Sequence, residues 1–470
     1  MFTLAGVAVG AVGFSDIDGR SVPEPDDPAI AYATQPTTDP VAVLNREIEA
    51  GKVRLRFDGE QGYLRSALDA LGVPIASQMM VFSKSSVQAQ RINPRNPRTL
   101  FFNDSVVVGW VRGGFVEVAA QDPRQGAIFY VLDQTPVEKP QFTRHNDCLT
   151  CHNSNNAMGV PGMLVRSQFT APNGTTMPWL GNFLSDHRSP MAERWGGWYV
   201  TGKTGAIRHL GNAVVTDGSK PESPVTDQVL NLGSLAGRLD TNAYLSPYSD
   251  IVALMVFEHQ MHMMNLLTRI GWQARYLLRI GNVHDVAANG LGDSAKDLVD
   301  YMVFVDEAPL PNKIEGTSGF AEKFSNEGPH DSRGRSLRQF DLEHHLMRYP
   351  CSYMIYSAAF DALPSEGKDA IYQRLYLVLS GAVTGAKYTR LSGADRQAVL
   401  EILRETKKDL PLSFQAHAHE VFAEAPLPKQ RFTLRISKLT TCNAQACLRA
   451  SAGDGVQPDA INAAAMGIKQ

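Results

Sequence analysis

The spacing of apolar residues changes once along this chain, and that change restricts its fold more than any other feature. Between residues 98 and 134 the runs TLFF, SVVVGWV, FVEVAA and AIFYVLDQ are β-branched or aromatic. They are separated by Asn103-Asp104, Gly113-Gly114 and Asp122-Pro123, turn-forming pairs that predict a β-meander. A second hairpin is expected where WGGWYVT, beginning at Trp195, turns at Gly202-Lys203-Thr204-Gly205 into residues 206–210. Beyond Pro247 the period becomes helical: segments 249–270, 272–280, 296–305, 371–379 and 394–408 carry apolar residues three and four apart. The polar stretch 309–338 reads as one long loop. Strands that pair with their sequence neighbours, followed by a helical half, predict an α+β fold with an antiparallel β-rich N-terminal part.

Charge narrows the partners. The 470 residues carry 45 Lys+Arg against 48 Asp+Glu, a formal charge of −3, which gives no field suited to nucleic acid. Residues 1–14 (MFTLAGVAVGAVGF) resemble the apolar region of a signal peptide, without a positively charged start. They are too short for a bilayer span, which takes about 20 residues. The apolar run 251–257 is stopped by Glu258, His259 and Gln260, so no transmembrane span is expected beyond that signal-like segment.

Cys148-Leu149-Thr150-Cys151-His152 is C-x-x-C-H, the attachment signature of c-type haem. Two thiols at this spacing add to the two vinyl groups of a porphyrin, and the adjacent imidazole reaches the iron as proximal ligand. A chance match in this composition is expected roughly 0.001 times. Two other chemistries use such thiols. A redox dithiol belongs between a strand and a helix of a βαβ unit, whereas Pro140, His145, Asn146, Asn153, Asn155 and Asn156 make loop surroundings here. Zinc needs a second ligand pair, and the other close pair, Cys442 and Cys447, is distant and has no nearby His. Haem attachment through this motif occurs outside the cytoplasmic membrane, so a periplasmic or otherwise exported protein is expected, and Cys442 to Cys447 becomes a candidate disulfide. Cys351 reads as a buried free thiol. The breaks define a signal-like segment with linker (1–40), a β-rich region (41–135), a haem-binding region with hairpin (136–215), a mainly helical region (216–425) and a C-terminal tail (426–470).

The segments FSKSSVQAQRINPRNPRTLFFND, VGWVRGG, CLTCHNS, SDHRSPMAERWGGWYVTGKTG, RHLGN, DIVALMVFEHQ and RYPCSYMIYSAAFDALP resemble those of a family of uncharacterised exported bacterial proteins with a single c-type haem motif. They extend from about Met80 to Pro364. The resemblance implies one covalent haem c on Cys148 and Cys151, with His152 on iron, in a protein larger than a simple cytochrome. It implies no particular reaction.

Around the motif, Trp179, Trp195, Trp198 and Tyr199 are candidates to pack on a porphyrin, and Arg188 and Arg194 to pair with its propionates; ordinary core and surface are the competing roles. A sixth iron ligand is expected from Met177, His187 or His209 rather than from His259, which lies near Met255, Val256 and Met263 and reads as a packed core histidine. On the same helix Glu258, His262, Asn265 and Arg269 share one polar face; Glu258 with His262, or His259 with His262, completed by Glu343-His344-His345, could hold a second metal, with helix–helix hydrogen bonding as the competing role. Two functions remain. Electron transfer to a redox partner protein demands least beyond the motif. A haem enzyme, peroxidase- or oxygenase-like and acting on a small molecule, would keep the sixth position open and use Arg188, His209 or Glu258 as an acid-base group.

Overall fold

The computed structural model describes residues 22–216, 227–284 and 289–415. The signal-like segment 1–14 and the Cys442–Cys447 pair lie outside them. Four strands form where β-branched and aromatic runs alternate: β2 (Arg98–Phe102), β3 (Val106–Trp110), β4 (Val116–Asp122) and β5 (Gly126–Leu132). Three short strands complete an antiparallel sheet: β1 (Met79–Val81), β6 (Thr143–Arg144) and β9 (Trp198–Tyr199), in the order β6-β5-β4-β3-β2-β1-β9. A separate hairpin pairs β7 (Arg166–Gln168) with β8 (Asn182–Leu184).

Because side chains alternate along a strand, each face of the sheet gathers one half of every run. Val106, Val108, Val116, Val118, Ile128 and Tyr130 bury one face against α1 (Pro40–Glu49) and α2 (Leu64–Ala70). Met79, Val81, Leu100, Phe102 and Val107 bury the other against α4 (Ile251–Arg279). Apolar on nearly all sides, α4 is the core helix of the protein. The four-residue α3 (Leu149–His152) carries the cysteine motif. Around α4 lie α5 (Leu291–Met302), α6 (Phe320–Asn326), α7 (Ala358–Asp361) and α8 (Ser365–Leu379), with α9 (Gly393–Thr406) packed on α8. The fold is α+β, with strands in the N-terminal half and helices in the C-terminal half. Among the described residues no helix is long and apolar enough to cross a membrane.

Several expectations are corrected. The hairpin turning at 202–205 does not form: Trp198 and Tyr199 pair with Val81 and Met80 instead. The Asn212 side chain takes the role of the missing strand, accepting from Val200 N–H and donating to Val200 C=O, both at 2.8 Å. Segments 249–270 and 272–280 form one helix, since Gly271 costs only about 1 kcal/mol and the packing on every side exceeds that. The expected loop 309–338 contains α6, whose Phe320 and Phe324 stack one turn apart. Within the region expected to be β-rich, α1 and α2 are helices.

Glycine is required where β9 joins the sheet. A Cβ at Gly196 would lie 2.7 Å from the Gln168 carbonyl oxygen, and Gly197, at φ +82°, accepts from both Phe82 and Ser83 N–H.

Asp250 anchors the start of α4. One carboxylate oxygen accepts from Val252 and Ala253 N–H, capping the helix, and the other from Thr317 and Ser318 N–H. Asp250→Ala therefore loses a cap and strands two loop donors. The expected cost is about 2–4 kcal/mol in urea unfolding. A midpoint equal to that of the parent would refute this role.

Candidate haem-attachment site

Three residues separate the motif from β6, the strand at one edge of the sheet. The chain turns through residues 146–148 into α3, capped by Cys148. One helical turn places Cys148, Cys151 and His152, spaced i, i+3 and i+4, on a common face. Cys148 is half-buried, Cys151 is exposed, and both are free thiols. The His152 ring packs on Phe129 of β5, ring centres 4.6 Å apart.

His152 is held from behind. Its Nδ1 lies 2.8 Å from the Gly162 carbonyl oxygen, and its own carbonyl accepts from Gly162 N–H at 2.9 Å. A carbonyl only accepts, so Nδ1 carries the proton and Nε2 keeps its lone pair, the tautomer of a metal-ligating histidine whose second nitrogen is fixed by a carbonyl. The Gly162 carbonyl is fixed in turn by α4. Asn265 accepts from Met163 N–H at 3.1 Å and donates to Met163 C=O at 2.9 Å, and a Cβ at Gly162 would lie 2.3 Å from Asn265 Oδ1. Asn265 thus acts as a positioning residue.

Burial lowers the pKa of His152, against the Gly162 carbonyl, and the charges of Arg98 and Arg166 push the same way, so the ring is neutral at pH 7. Burial raises that of Cys148, reinforced by the carboxylates of Glu117 and Asp147. A redox dithiol works through a lowered thiol pKa, so this direction, in an antiparallel setting, disfavours that chemistry. Two free thiols on one face beside a neutral imidazole with a free Nε2 fit covalent haem attachment: Cys148 and Cys151 would hold the porphyrin and His152 the iron.

The sheet face beneath the motif carries residues that the sequence reading missed. Register places Arg98, Gly109, Glu117, Phe129 and Val131 on one side of β2 to β5. Arg98 pairs with Glu117, whose carboxylate also accepts from Ser86 Oγ and Gln88 Nε2, both at 2.8 Å. A signal was present: charged residues interrupt RTLFF and FVEVAA at positions facing the same way.

The other candidates gather mainly around α4. His187 Nδ1 lies 2.8 Å from His259 Nδ1, and His259 Nε2 lies 2.7 Å from Ser352 Oγ; Tyr301 stacks on both rings and donates to the His259 carbonyl. His259 is the buried core histidine expected, and its link to His187 was not foreseen. Burial lowers His259 to about 3 and depresses His187 as well. Arg194 and Glu258 form a buried ion pair at 3.1 Å, 2% and 0% exposed. Arg194 also donates to the Ser189 and His187 carbonyls. Arg188 is bound to Asp186 and lies over the Tyr301 ring, with His262 beside it. Both guanidinium groups named as propionate candidates thus have carboxylate partners within the protein. Burial lowers His209 to about 4; its Nδ1 accepts from Gly211 N–H, and it meets Trp195 edge to face.

Met177 is half-buried in a turn and donates its N–H to the Phe169 carbonyl. Trp195 and Trp198 are core residues, whereas Trp179 is 70% exposed. Tyr199 donates to the Pro94 carbonyl, and Cys351 is buried as expected. His345 is bound to Glu307. Among the described residues no group of three or more His, Cys, Asp or Glu is placed to hold a metal ion. Comparison of the chain with protein-family models, with curated proteins and with solved structures yields no match.

Proposed function

We propose that this protein is an exported c-type cytochrome with one haem, linked by thioethers to Cys148 and Cys151 and bound at iron by His152, and that it passes electrons to a redox partner. One observation carries the reading: His152 Nδ1 is tied to the Gly162 carbonyl at 2.8 Å, leaving Nε2 free beside two free thiols on the same helical turn. The bound haem supplies one-electron chemistry. The chain supplies a neutral imidazole of fixed tautomer, held by α4 through Asn265 and Gly162 and supported from below by Phe129. A sixth ligand, where the chain provides one, comes from Met177, His187 or His209. The attachment chemistry, carried out outside the cytoplasmic membrane, agrees with export and with the family resembled.

The test is the visible spectrum of the full chain with and without carbon monoxide or cyanide. A haem spectrum that the added ligands hardly shift is expected of a six-coordinate carrier. A clear shift would mean an open iron and replace electron transfer with a haem enzyme of peroxidase or oxygenase type. Substituting Met177, His187, His209 and His259 singly and recording the ferric spectrum identifies the sixth ligand. A change confined to His259→Ala would overturn the assignment to the 177–209 segment.

A further inference from the structure

Two arginines stand at the motif on separate elements: Arg98 of β2 shares the sheet face of Phe129, on which the His152 ring packs, and Arg166 opens β7 four residues after Gly162, which is bound to His152. Neither is fully used. Arg98 lies over Gly109, where a Cβ would come within 2.8 Å of its Nη2; it pairs with Glu117 through Nη2, while its Nε has no partner among the described residues. The Arg166 backbone is fixed: its carbonyl accepts from Trp198 Nε1 at 2.7 Å, and it pairs with Leu184 across the β7–β8 hairpin. Its half-buried guanidinium has no hydrogen-bond or ion-pair partner among the described residues. Leu184, directly opposite Arg166, is 42% exposed, an apolar side chain beside an unspent cation. Phe129 against the His152 ring, and the two arginines, thus offer apolar contact and two positive charges at the motif. A haem is a flat apolar disc with two carboxylates, and arginine pairs with a carboxylate through a two-toothed fork.

We propose that Arg98 and Arg166 hold the two propionates of the haem, with Glu117 keeping the Arg98 guanidinium in place; this rests on the haem reading above. The roles first considered for Arg188 and Arg194 pass to these two residues.

The test uses the full haem-bearing chain and the variants Arg98→Gln, Arg166→Gln, Arg98→Lys and Arg333→Gln, the last a control whose arginine pairs with Glu401. Resonance Raman spectra report the propionate bending bands, and a redox titration gives the midpoint potential. Each Gln variant is expected to move a propionate band. Each should also lower the potential, because a propionate that loses its cation favours ferric iron. The expected size is about tenfold in the reduced-to-oxidised ratio at fixed poise, about 59 mV for one electron. Arg98→Lys keeps the charge but loses the fork, so it should move the band with a smaller change in potential. It also stands in for Arg98→Gln should that variant fail to fold. Arg333→Gln should leave both readouts unchanged. Haem present with propionate bands unmoved in the Arg98 and Arg166 variants would overturn this assignment and leave the cytochrome reading standing. Absence of haem from the parent chain would overturn the cytochrome reading itself.

Discussion

Replacing both Cys148 and Cys151 with alanine is expected to abolish haem staining at full chain length on a denaturing gel, and replacing either alone to weaken it. On the proposed attachment the thiols would add separately to the two vinyl groups, so one remaining thioether would still hold the porphyrin through denaturation and none would not. The result will not be confounded by unfolding. Cys151 is exposed and Cys148 only half-buried, and substitutions at such positions usually change stability by no more than about 0.5 kcal/mol. The double variant should therefore unfold in urea like the parent protein stripped of its haem contribution. In the parent the colour should survive acid-acetone extraction. Colour that is extracted, or that persists in the double variant, would contradict covalent attachment at this motif.

Glu258→Ala should destabilise the protein by about 3–5 kcal/mol, and Arg194→Met by clearly less. The two partners of the buried pair differ in what each can do alone. Burial pushes the Glu258 carboxyl up to about 8 even beside Arg194, so without the arginine it escapes the penalty by taking a proton. A guanidinium has no such escape and would stay charged in the core, supported only by the Ser189 and His187 carbonyls.

The same shift sets a pH dependence. The folded-state value of Glu258 lies above its ordinary 4.5, so its contribution is fully present below about 4.5 and is lost as pH rises through about 8. The histidines act oppositely. Burial lowers His209 and His262 to about 4 and His259 to about 3 from 6.5, so the stability of their neutral forms is present above about 6.5 and falls as the unfolded chain takes up protons below that. Each such proton is worth up to about 1.4 kcal/mol per pH unit. Stability should therefore peak near pH 6.5 and fall more steeply towards pH 4.5 than towards pH 8. Glu258→Gln should flatten the alkaline side and steepen the acid side, because the Glu258 slope runs from about 4.5 to about 8 and opposes that of the histidines below 6.5. Urea unfolding across pH 4.5 to 8 decides: a parent curve that rises from pH 6.5 to 8 would refute the assignment.

The β-meander and the grouping of Cys148, Cys151 and His152 were legible because both are local signals. Alternation within five to seven residues, closed by Asn103-Asp104, Gly113-Gly114 and Asp122-Pro123, defines β2 to β5 with no reference to the rest of the chain. The C-x-x-C-H spacing works in the same way, since one helical turn brings its three side chains together. Even α1 had a local sign that was passed over: Asp39 caps it, Pro40 opens it, and Val41, Leu44 and Ile48 form its buried stripe. What could not be read were the partners. Trp198 and Tyr199 had a plausible mate in residues 206–210, but β1 offered an open edge and the Asn212 side chain satisfied Val200, so the strand paired there instead. His187 and His259, 72 positions apart, meet because α4 runs through the core and brings its buried histidine to the segment after β8. Arg98 and Glu117 face the motif because sheet register turns them to the side on which the chain doubles back after β6. Spacing along the chain determines which side chains share a face. Which two faces then meet is set by the competition among all of them for burial and hydrogen-bond partners, and that depends on the folded chain as a whole.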